Sequence, residues 1–356
     1  MSQLEWVWSS RNTLPMTPVN MNKLILTCAG GRMMPLLAKW HKAAAPDSML
    51  IGFDANPDVV SAGVDGFDRV FVVPKAYDPL YVPAVIDLLK EIGVSVLLPG
   101  SDEEALVLAK RKKEIESAGG MMAMSDHSSL ARVSDKINLA RVIEESHGGG
   151  ARVLRALNAD EALQAIQKLG GTDVPMVLKP SRGRGRRGVF IIGTSSMPEH
   201  DDLPPVITLQ DIPEVYEQAF PPDMVMPFVS GQNITMDVLA DHGEVAQLVV
   251  RRWLENWRFP FPGQEIISFP QIESLGTKIV NQFKLHGLLD MDFIVSEDGE
   301  PTLLEVNPRP SGSVVVALAG GVPLLKQYVN LALGQKSVEF FSPVRPQTLL
   351  LQDLEN

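Results

Sequence analysis

Two groups of residues in this chain have the types and spacing that chemistry requires. Residues 179–188 read Lys-Pro-Ser-Arg-Gly-Arg-Gly-Arg-Arg-Gly, so that three glycines fall within six residues and four arginines share the stretch. Glycine lets a backbone come close to a ligand. Amide and guanidinium N–H groups both donate to phosphate oxygens. Lys179 ends an apolar run and can add a point charge. The pattern suits a polyphosphate, although Gly-Lys-Ser/Thr of a Walker loop is missing. An arginine-rich surface turn or an RNA-contact patch is the plain alternative. The position between two strand-like runs and the lack of interleaved aromatics argue against RNA.

The second group is acidic. Asp290 and Asp292 lie in the run LDMDFIV, and Glu305 and Asn307 lie at i and i+2 in LLEVN, on one face of a strand. A hairpin through Asp298-Gly299 brings Asp292 opposite them. Carboxylates with an amide oxygen are the hard ligands that Mg2+ prefers, and acids set among apolar residues need such compensation. The plain alternative is salt bridging at a sheet edge. Pro308 and Pro310 stiffen the exit and can aim Arg309 back at the same place.

Weaker signals surround these two. Arg251, Arg252 and Arg258 lie in VVRRWLENWRFPFPGQ among Trp253, Trp257, Phe259 and Phe261. Such a segment can hold an anionic substrate while the aromatics exclude water; a domain-interface clamp is the alternative. Asp102 and Glu103 end a strand at Pro99-Gly100-Ser101. They can face substrate from the carboxyl end of a parallel sheet or cap the following helix. Ala29-Gly30-Gly31-Arg32, with Asp54 at the end of the next strand, has the outline of a dinucleotide-binding turn. The full Gly-x-Gly-x-x-Gly is absent, and a tight strand-to-helix turn explains the glycines. His242, His286 and the single cysteine, Cys28, are read as solvated or structural.

The elements that must position these residues follow from the apolar periodicity. Short runs at 23–28, 49–53, 69–73 and 94–98 alternate with helical segments at 33–44 and 80–92, the pattern of a parallel α/β unit. Residues 101–118 read as a helix with Ser101 as N-cap and Glu104 at the capping-box position. Beyond residue 120 the pattern is α+β: strands at 174–180 and 189–193, two strands flanking Asp241-His242-Gly243-Glu244, a helix over 272–286, a hairpin of 290–295 with 301–306, and a helix over 322–333. At 356 residues the chain exceeds one ordinary core. Its net charge of -11 opposes nucleic acid and anionic membranes. No segment reaches the roughly 20 apolar residues of a membrane span, and no basic stretch leads into an apolar core near residue 1. A cytoplasmic chain is expected.

Over residues 22 to about 335 the sequence resembles the ATP-grasp superfamily, in its carbamoyl-phosphate-synthase-like branch. The resemblance is carried by Leu26–Arg32, Pro99–Glu103, Ser134-Asp135-Lys136, the stretch from Lys179 to Gly188, and above all Leu304-Glu305-Val306-Asn307-Pro308-Arg309-Pro310-Ser311-Gly312, which resembles the family's metal-binding signature. It implies an ATP-grasp fold preceded by a Rossmann-like parallel α/β domain. The expected divisions are an N-terminal extension (1–21), the Rossmann-like domain (22–120), linker helices and lid (121–225), the larger α+β subdomain (226–340) and a tail (341–356). The resemblance also implies ATP and Mg2+, with Mn2+ as a substitute ion. Lys136, Lys179, Ser181, Gly183, Gly185, Gly188, Met226 and Phe228 would hold ATP. Asp292, Glu305 and Asn307 would hold the metal. Arg309, Lys179 and Arg252 would act catalytically, and Arg251, Arg252, Arg258, Asp102 and Glu103 would face substrate. One departure stands out. The family's Glu-aromatic-aliphatic-x-Gly segment reads Pro227-Phe228-Val229-Ser230-Gly231 here, and a further acidic position is Asn233.

The implied reaction is ATP-dependent ligation. A small carboxylate, an amino acid by resemblance, becomes an acylphosphate and an amine displaces phosphate. The expected partners are these small molecules, and family members of this type are often homodimers. Three alternatives stand beside it: a non-catalytic nucleotide sensor, a bicarbonate-activating carbamoyl or carboxyl transferase, and an NAD-dependent oxidoreductase.

Overall fold

The computed structural model of the protein describes residues 23–147, 151–183, 187–193, 203–254, 262–335 and 346–355. Strands β1 (Lys23–Thr27), β2 (Met49–Asp54), β3 (Arg69–Val72), β4 (Ser95–Leu98) and β5 (Gly120–Met121) form a parallel sheet in the order β3-β2-β1-β4-β5. The apolar runs lack alternation because both faces are covered. Leu24 and Leu26 enter one core and Ile25 another. Helices Met34–Ala44 and Tyr81–Ile92 occupy the intervals that the sequence assigned to helices.

The expected helix over 101–118 is two helices, Asp102–Lys110 and Lys112–Ser117, divided at Arg111. Ser101 does cap the first, accepting from the Glu104 amide at 3.3 Å. The Glu104 carboxylate, however, turns into the core and accepts from Thr27 (2.5 Å), Ser101 (2.9 Å) and Tyr81 (3.1 Å) hydroxyls. Burial of the carboxylate among three hydroxyl donors replaces the reciprocal half of a capping box. This ties the carboxyl ends of β1 and β4 together. Gly100 is required there, because a Cβ on it would lie 2.2 Å from the Thr27 carbonyl oxygen.

A second sheet, mixed in direction, contains β6 (Leu154–Arg155), β7 (Met176–Lys179), β8 (Phe190–Ile192), β9 (Val206–Ile207) and β10 (Met224–Pro227), in the order β6-β10-β7-β8-β9. Helix Ala159–Leu169 packs on it through Ala162, Ala165, Ile166 and Leu169. The division expected at 225 falls inside β10. That strand pairs with β6 and β7, so the second sheet runs to Pro227.

The third sheet is antiparallel and has six strands: β11 (Gln232–Asp241), β12 (Glu244–Trp253), β13 (Gly263–Ile267), β14 (Gly287–Val295), β15 (Pro301–Asn307) and β16 (Gln347–Leu350), in the order β15-β14-β11-β12-β13-β16. Helix Pro270–Phe283 covers one face, with Ile272, Ile279, Val280 and Phe283 buried against Met236, Val238 and Met291. The other face joins the first domain in one core. Leu239, Val249 and Leu288 share a cluster with Leu24, Leu26 and Tyr328, and the Tyr328 hydroxyl donates to the Leu97 carbonyl at 2.9 Å. Part of the tail beyond 340 belongs to the fold as well. β16 extends the third sheet beside β13, and the carbonyl of buried Leu354 accepts from the Trp40 indole at 3.1 Å. The extension expected over residues 1–21 lies outside the described residues. Among those described, no helix is long and apolar enough to cross a membrane.

Candidate active site

A cavity of about 660 Å3 lies between the second and third sheets. Val177, Lys179, Ile191 and Met226 line it from the second sheet, and Thr235, Asp292 and Glu305 from the third. Met33, just after the glycine turn of the first domain, also reaches it.

The acidic hairpin forms with a register shift between Asp292 and Phe293, which passes over Leu304. In the β14–β15 ladder Asp292 stands opposite Glu305 and Asp290 opposite Asn307. The Asn307 amide nitrogen donates to Asp290 at 3.1 Å and lies 3.4 Å from Glu305 and 3.5 Å from Asp292. Thr235 on β11 donates to Asp292 at 2.9 Å and accepts from the Trp253 indole at 3.1 Å.

Crowding and burial shape the charges. Burial first, and then Asp292, push the Asp290 carboxyl well above the usual carboxylate range. Burial and Glu305 push Asp292 up to about 6. Burial would also raise Glu305, but Lys136 and Lys179 outweigh it and hold the carboxyl low. The Lys136 ammonium lies 3.0 Å from Glu305 and donates to the Gly183 carbonyl at 3.1 Å. Burial brings Lys179 down to about 8, with Lys136 adding to the effect and Glu305 opposing it. The donor set fits a divalent cation. One oxygen of Asp290 is buried without a hydrogen-bond partner, and a hard cation offsets repulsion among these carboxylates. Turning the Asn307 amide by 180° presents its oxygen to the same place.

The glycine loop is anchored rather than loose at its start. The Asp223 carboxylate accepts from both the amide and the hydroxyl of Ser181, the latter at 2.7 Å. The Ser181 carbonyl in turn accepts from the Lys136 amide at 3.0 Å. At the other end Gly188 has φ +69°, and a Cβ there would lie 2.2 Å from the Phe220 carbonyl oxygen. Gly183 and Arg187 line the cavity, whereas Gly185 lies outside the described residues.

Met226 and Phe228 line the far end of the cavity with Val229 and Asn233. Their backbone donors are few. Pro227 has no N–H, and the Phe228 amide donates to the Pro175 carbonyl at 2.8 Å.

Arg309 sits between two acids that contact it. Its Nε is 3.0 Å from Asp102, and its Nη1 donates to Asp290 at 3.2 Å and to the Pro310 carbonyl at 3.0 Å. Burial works against its charge, but Asp102, Asp290 and Asp292 hold it firmly protonated. Asp102 therefore reaches the site through Arg309, while starting a helix in the first domain. Glu103 lies 3.8 Å from Arg187 of the glycine loop.

The arginine pair of β12 is a correction. Arg251 is 0% exposed and bonds to Asp237 at 2.7 Å, to the Ser311 hydroxyl at 2.8 Å and to Ser313. It braces the loop after Asn307 from behind and presents nothing to substrate. Arg252, the next residue in a strand, points to the opposite face. There it pairs with Glu265 and lines a separate cleft with Gln232 and Phe269. It does not line the cavity between the second and third sheets. Arg258 lies outside the described residues. In the glycine turn the Asp54 carboxylate accepts from the Gly30 and Asn56 amides at 2.7 and 2.8 Å. Those bonds use the group that a ribose would need.

Thr235, Asp237 and Asp223 were missed in the sequence. Thr235 and Asp237 alternate with buried apolar residues along β11, which is the one signal that could have found them. Asp223 gave none, since its role depends on two sequence-distant segments meeting.

Comparisons with known proteins agree with this architecture. The family model described as "ATP-grasp in the biosynthetic pathway with Ter operon" matches residues 219–350. The carbamoyl-phosphate synthase of Methanobrevibacter smithii is 26% identical over 299 residues, covering 80% of this chain and 75% of that protein. The carbamoyl phosphate synthase large chain of Thermoanaerobacter pseudethanolicus is 25% identical, and the match covers 82% of this chain but only 27% of that protein. Among solved structures, the biotin carboxylase domain of Hydrogenobacter thermophilus 2-oxoglutarate carboxylase, in complex with MgADP, ADP and bicarbonate, aligns with a TM-score of 0.67 at 18% identity, over 92% of this chain and 73% of that one. The L-amino acid ligase of Bacillus licheniformis aligns with a TM-score of 0.63 at 15% identity, over 93% and 79%. The fold and the cavity between two sheets define an ATP-grasp architecture preceded by a Rossmann-like domain. Residues 219–350 match an ATP-grasp family model, and over most of its length the chain is similar to carbamoyl-phosphate synthase. ATP-grasp enzymes use ATP with Mg2+.

Proposed function

We propose that this chain is an ATP-dependent carboxylate–amine ligase whose reaction takes place in the cavity between the second and third sheets. The observation that carries the reading is the convergence on Glu305. Lys136 contacts it at 3.0 Å, Asp292 stands opposite it, Asn307 is 3.4 Å away and Lys179 lines the same cavity. In this reading Lys136, Lys179, Ser181, Gly183 and Gly188 hold the phosphates, and Met226 and Phe228 flank the base. Asp292, Glu305 and Asn307 hold Mg2+, which supplies charge neutralisation for the transferring phosphoryl group. A substrate carboxylate oxygen attacks the γ-phosphorus, the bond to the ADP oxygen breaks, and an acylphosphate forms. An amine then attacks the carbonyl carbon, loses a proton, and phosphate leaves. Arg309, kept charged by its acidic neighbours, stabilises the anion at the reacting end. The chain's contribution is positioning and electrostatics rather than covalent attack. An amino acid as the carboxylate is supported by the fold likeness to an L-amino acid ligase alone.

The test is ADP release with ATP and Mg2+ across a matrix of amino acids, other carboxylates including bicarbonate, and amines, with Glu305→Ala as background. Turnover that depends on one carboxylate and disappears in the variant is expected. ATP binding without turnover across the matrix would replace the ligase with a nucleotide sensor. That second reading is favoured by the adenine end, where Pro227 has no N–H and the Phe228 amide is already used.

A further inference from the structure

A second cluster of ligating groups stands away from the cavity. Asp241 ends β11, His242 follows it in the turn to β12, and His286 immediately precedes β14. Pairing of Ala240 with Gly287 brings the two chain segments together. One ligand atom from each of Asp241, His242 and His286 lies within 4.8 Å of the other two. The imidazole centroids are 3.9 Å apart with their planes inclined at 31°.

The distances suit a small cation with nitrogen and oxygen ligands. Tetrahedral zinc bonds of ~2.0–2.1 Å place ligand atoms roughly 3.4 Å apart. Asp241 Oδ1 and His286 Nδ1 already stand 3.4 Å apart. Asp241 Oδ1 and His242 Nδ1 are at 2.7 Å, a hydrogen-bond distance that must open. His242 has room to do so, because its side chain is 79% exposed. Its backbone is in the left-handed region (φ +49°), a conformation uncommon for a residue with a side chain, and this sets the ring over His286. His286 is held from the other side: its amide donates to the Ser125 hydroxyl at 2.7 Å, and its carbonyl accepts from that hydroxyl at 3.1 Å. The His242 amide contacts His286 Nδ1 at 3.3 Å, a long bond that a cation would displace. Burial and His242 bring His286 down to about 4, so its imidazole is neutral, the ligating form, at pH 7. Lys112 adds a nearby positive charge, but its ammonium donates to the Met124 carbonyl at 3.0 Å and lies 3.9 Å from Glu116.

We propose that Asp241, His242 and His286 form a binding site for a borderline divalent cation of the Zn2+ class, distinct from the Mg2+ site of the ligase reading. Two imidazoles and a carboxylate suit Zn2+, Co2+ or Ni2+ better than Mg2+, which prefers oxygen. With three protein ligands and an exposed turn, a fourth position is left to water. Bound metal would clamp the β11–β12 turn to the start of β14, the strand that carries Asp290 and Asp292.

The experiment is calorimetric titration of the full chain, free of any polyhistidine tag, with Zn2+ in a buffer containing excess Mg2+. His242→Ala, Asp241→Asn, His286→Asn and Glu305→Ala are compared, and thermal unfolding is followed in parallel. One equivalent of Zn2+ is expected, with affinity at least ~10-fold weaker in His242→Ala and Asp241→Asn and unchanged in Glu305→Ala. His242 is exposed, so its variant reports on binding even if His286→Asn folds poorly. Thermal stabilisation by Zn2+ should be lost in the same variants. No binding, or binding unaffected by His242→Ala and Asp241→Asn, would overturn the proposal. So would loss in Glu305→Ala alone, since the ion would then sit among the cavity carboxylates.

Discussion

Arg309 of the loop after β15 and Asp102 of the first domain meet with Nε and Oδ1 3.0 Å apart, both largely buried. The contact joins the parallel sheet to the edge of the cavity. It gives the first domain a direct hold on the arginine that the proposed reaction sets at its reacting end. Asp290 also holds the same guanidinium, at 3.2 Å, so Arg309 is oriented by a helix of the first domain and by β14 of the third sheet.

Asp102→Asn should therefore act on activity more than on folding. Arg309 keeps Asp290 but loses the partner that fixes its angle. A fall of about 10- to 100-fold in kcat/KM for the carboxylate is expected, because small misplacements of a positioned group are costly. Steady-state kinetics with each substrate varied in turn make the check. Unchanged constants would mean that the ion pair is only a domain tether.

Arg251 and Asp237 form an ion pair with both side chains at 0% exposure. Removing one partner strands the other charge in the core. Arg251→Met should cost about 3–5 kcal/mol, and the double variant Arg251→Met/Asp237→Leu should recover part of that loss. Urea denaturation of the three proteins tests this. A double variant no better than the single would place the cost in the Ser311 and Ser313 hydrogen bonds instead.

Arg252 and Arg309 should separate in any activity assay. Arg252 faces the cleft behind the sheet and pairs with Glu265, so Arg252→Ala should leave ADP formation within about threefold of the parent, the effect of an ordinary surface change. Arg309→Ala should reduce it by at least about 100-fold, as expected for loss of a charge aimed at a reacting anion. Comparable losses in both would put Arg252 back in the reaction.

His41 predicts acid sensitivity remote from the cavity. It is 2% exposed, lies 2.8 Å from the Ser48 hydroxyl, and is brought down to about 4 by burial and then by Lys42. Its folded value is below the unfolded value of 6.5. The unfolded chain therefore binds the proton first. The contribution is complete above pH 6.5 and is lost as pH falls toward 4. The full loss is roughly 3 kcal/mol. Denaturation at pH 7 and pH 5 should show a smaller drop in His41→Gln than in the parent chain. An equal drop would assign the acid sensitivity to other groups.

The residues themselves determined much of this protein. The parallel first sheet follows from unalternating apolar runs between helices, because strands covered on both faces leave no polar side. The hairpin itself follows from the Gly299 turn, but a regular ladder from that turn would set Asp292 opposite Leu304; a register shift between Asp292 and Phe293 passes over Leu304 and brings Asp292 opposite Glu305. Lys136, Lys179 and the glycine loop were legible as types and spacing. Their meeting was not, since it depends on how the second sheet sits over the third. The direction of each arginine was also beyond the sequence. Arg251 and Arg252 look alike as neighbours in a chain. Strand alternation sends one to a buried carboxylate behind the signature loop and the other to the far face, and only the tertiary structure decides which. The same holds for Asp102, whose carboxylate could cap its own helix or reach out. The packing of the first domain against the third sheet put Arg309 within 3.0 Å and settled the matter. His242 and His286, 44 residues apart in the chain, met for the same reason: β11 and β14 are neighbours in the sheet.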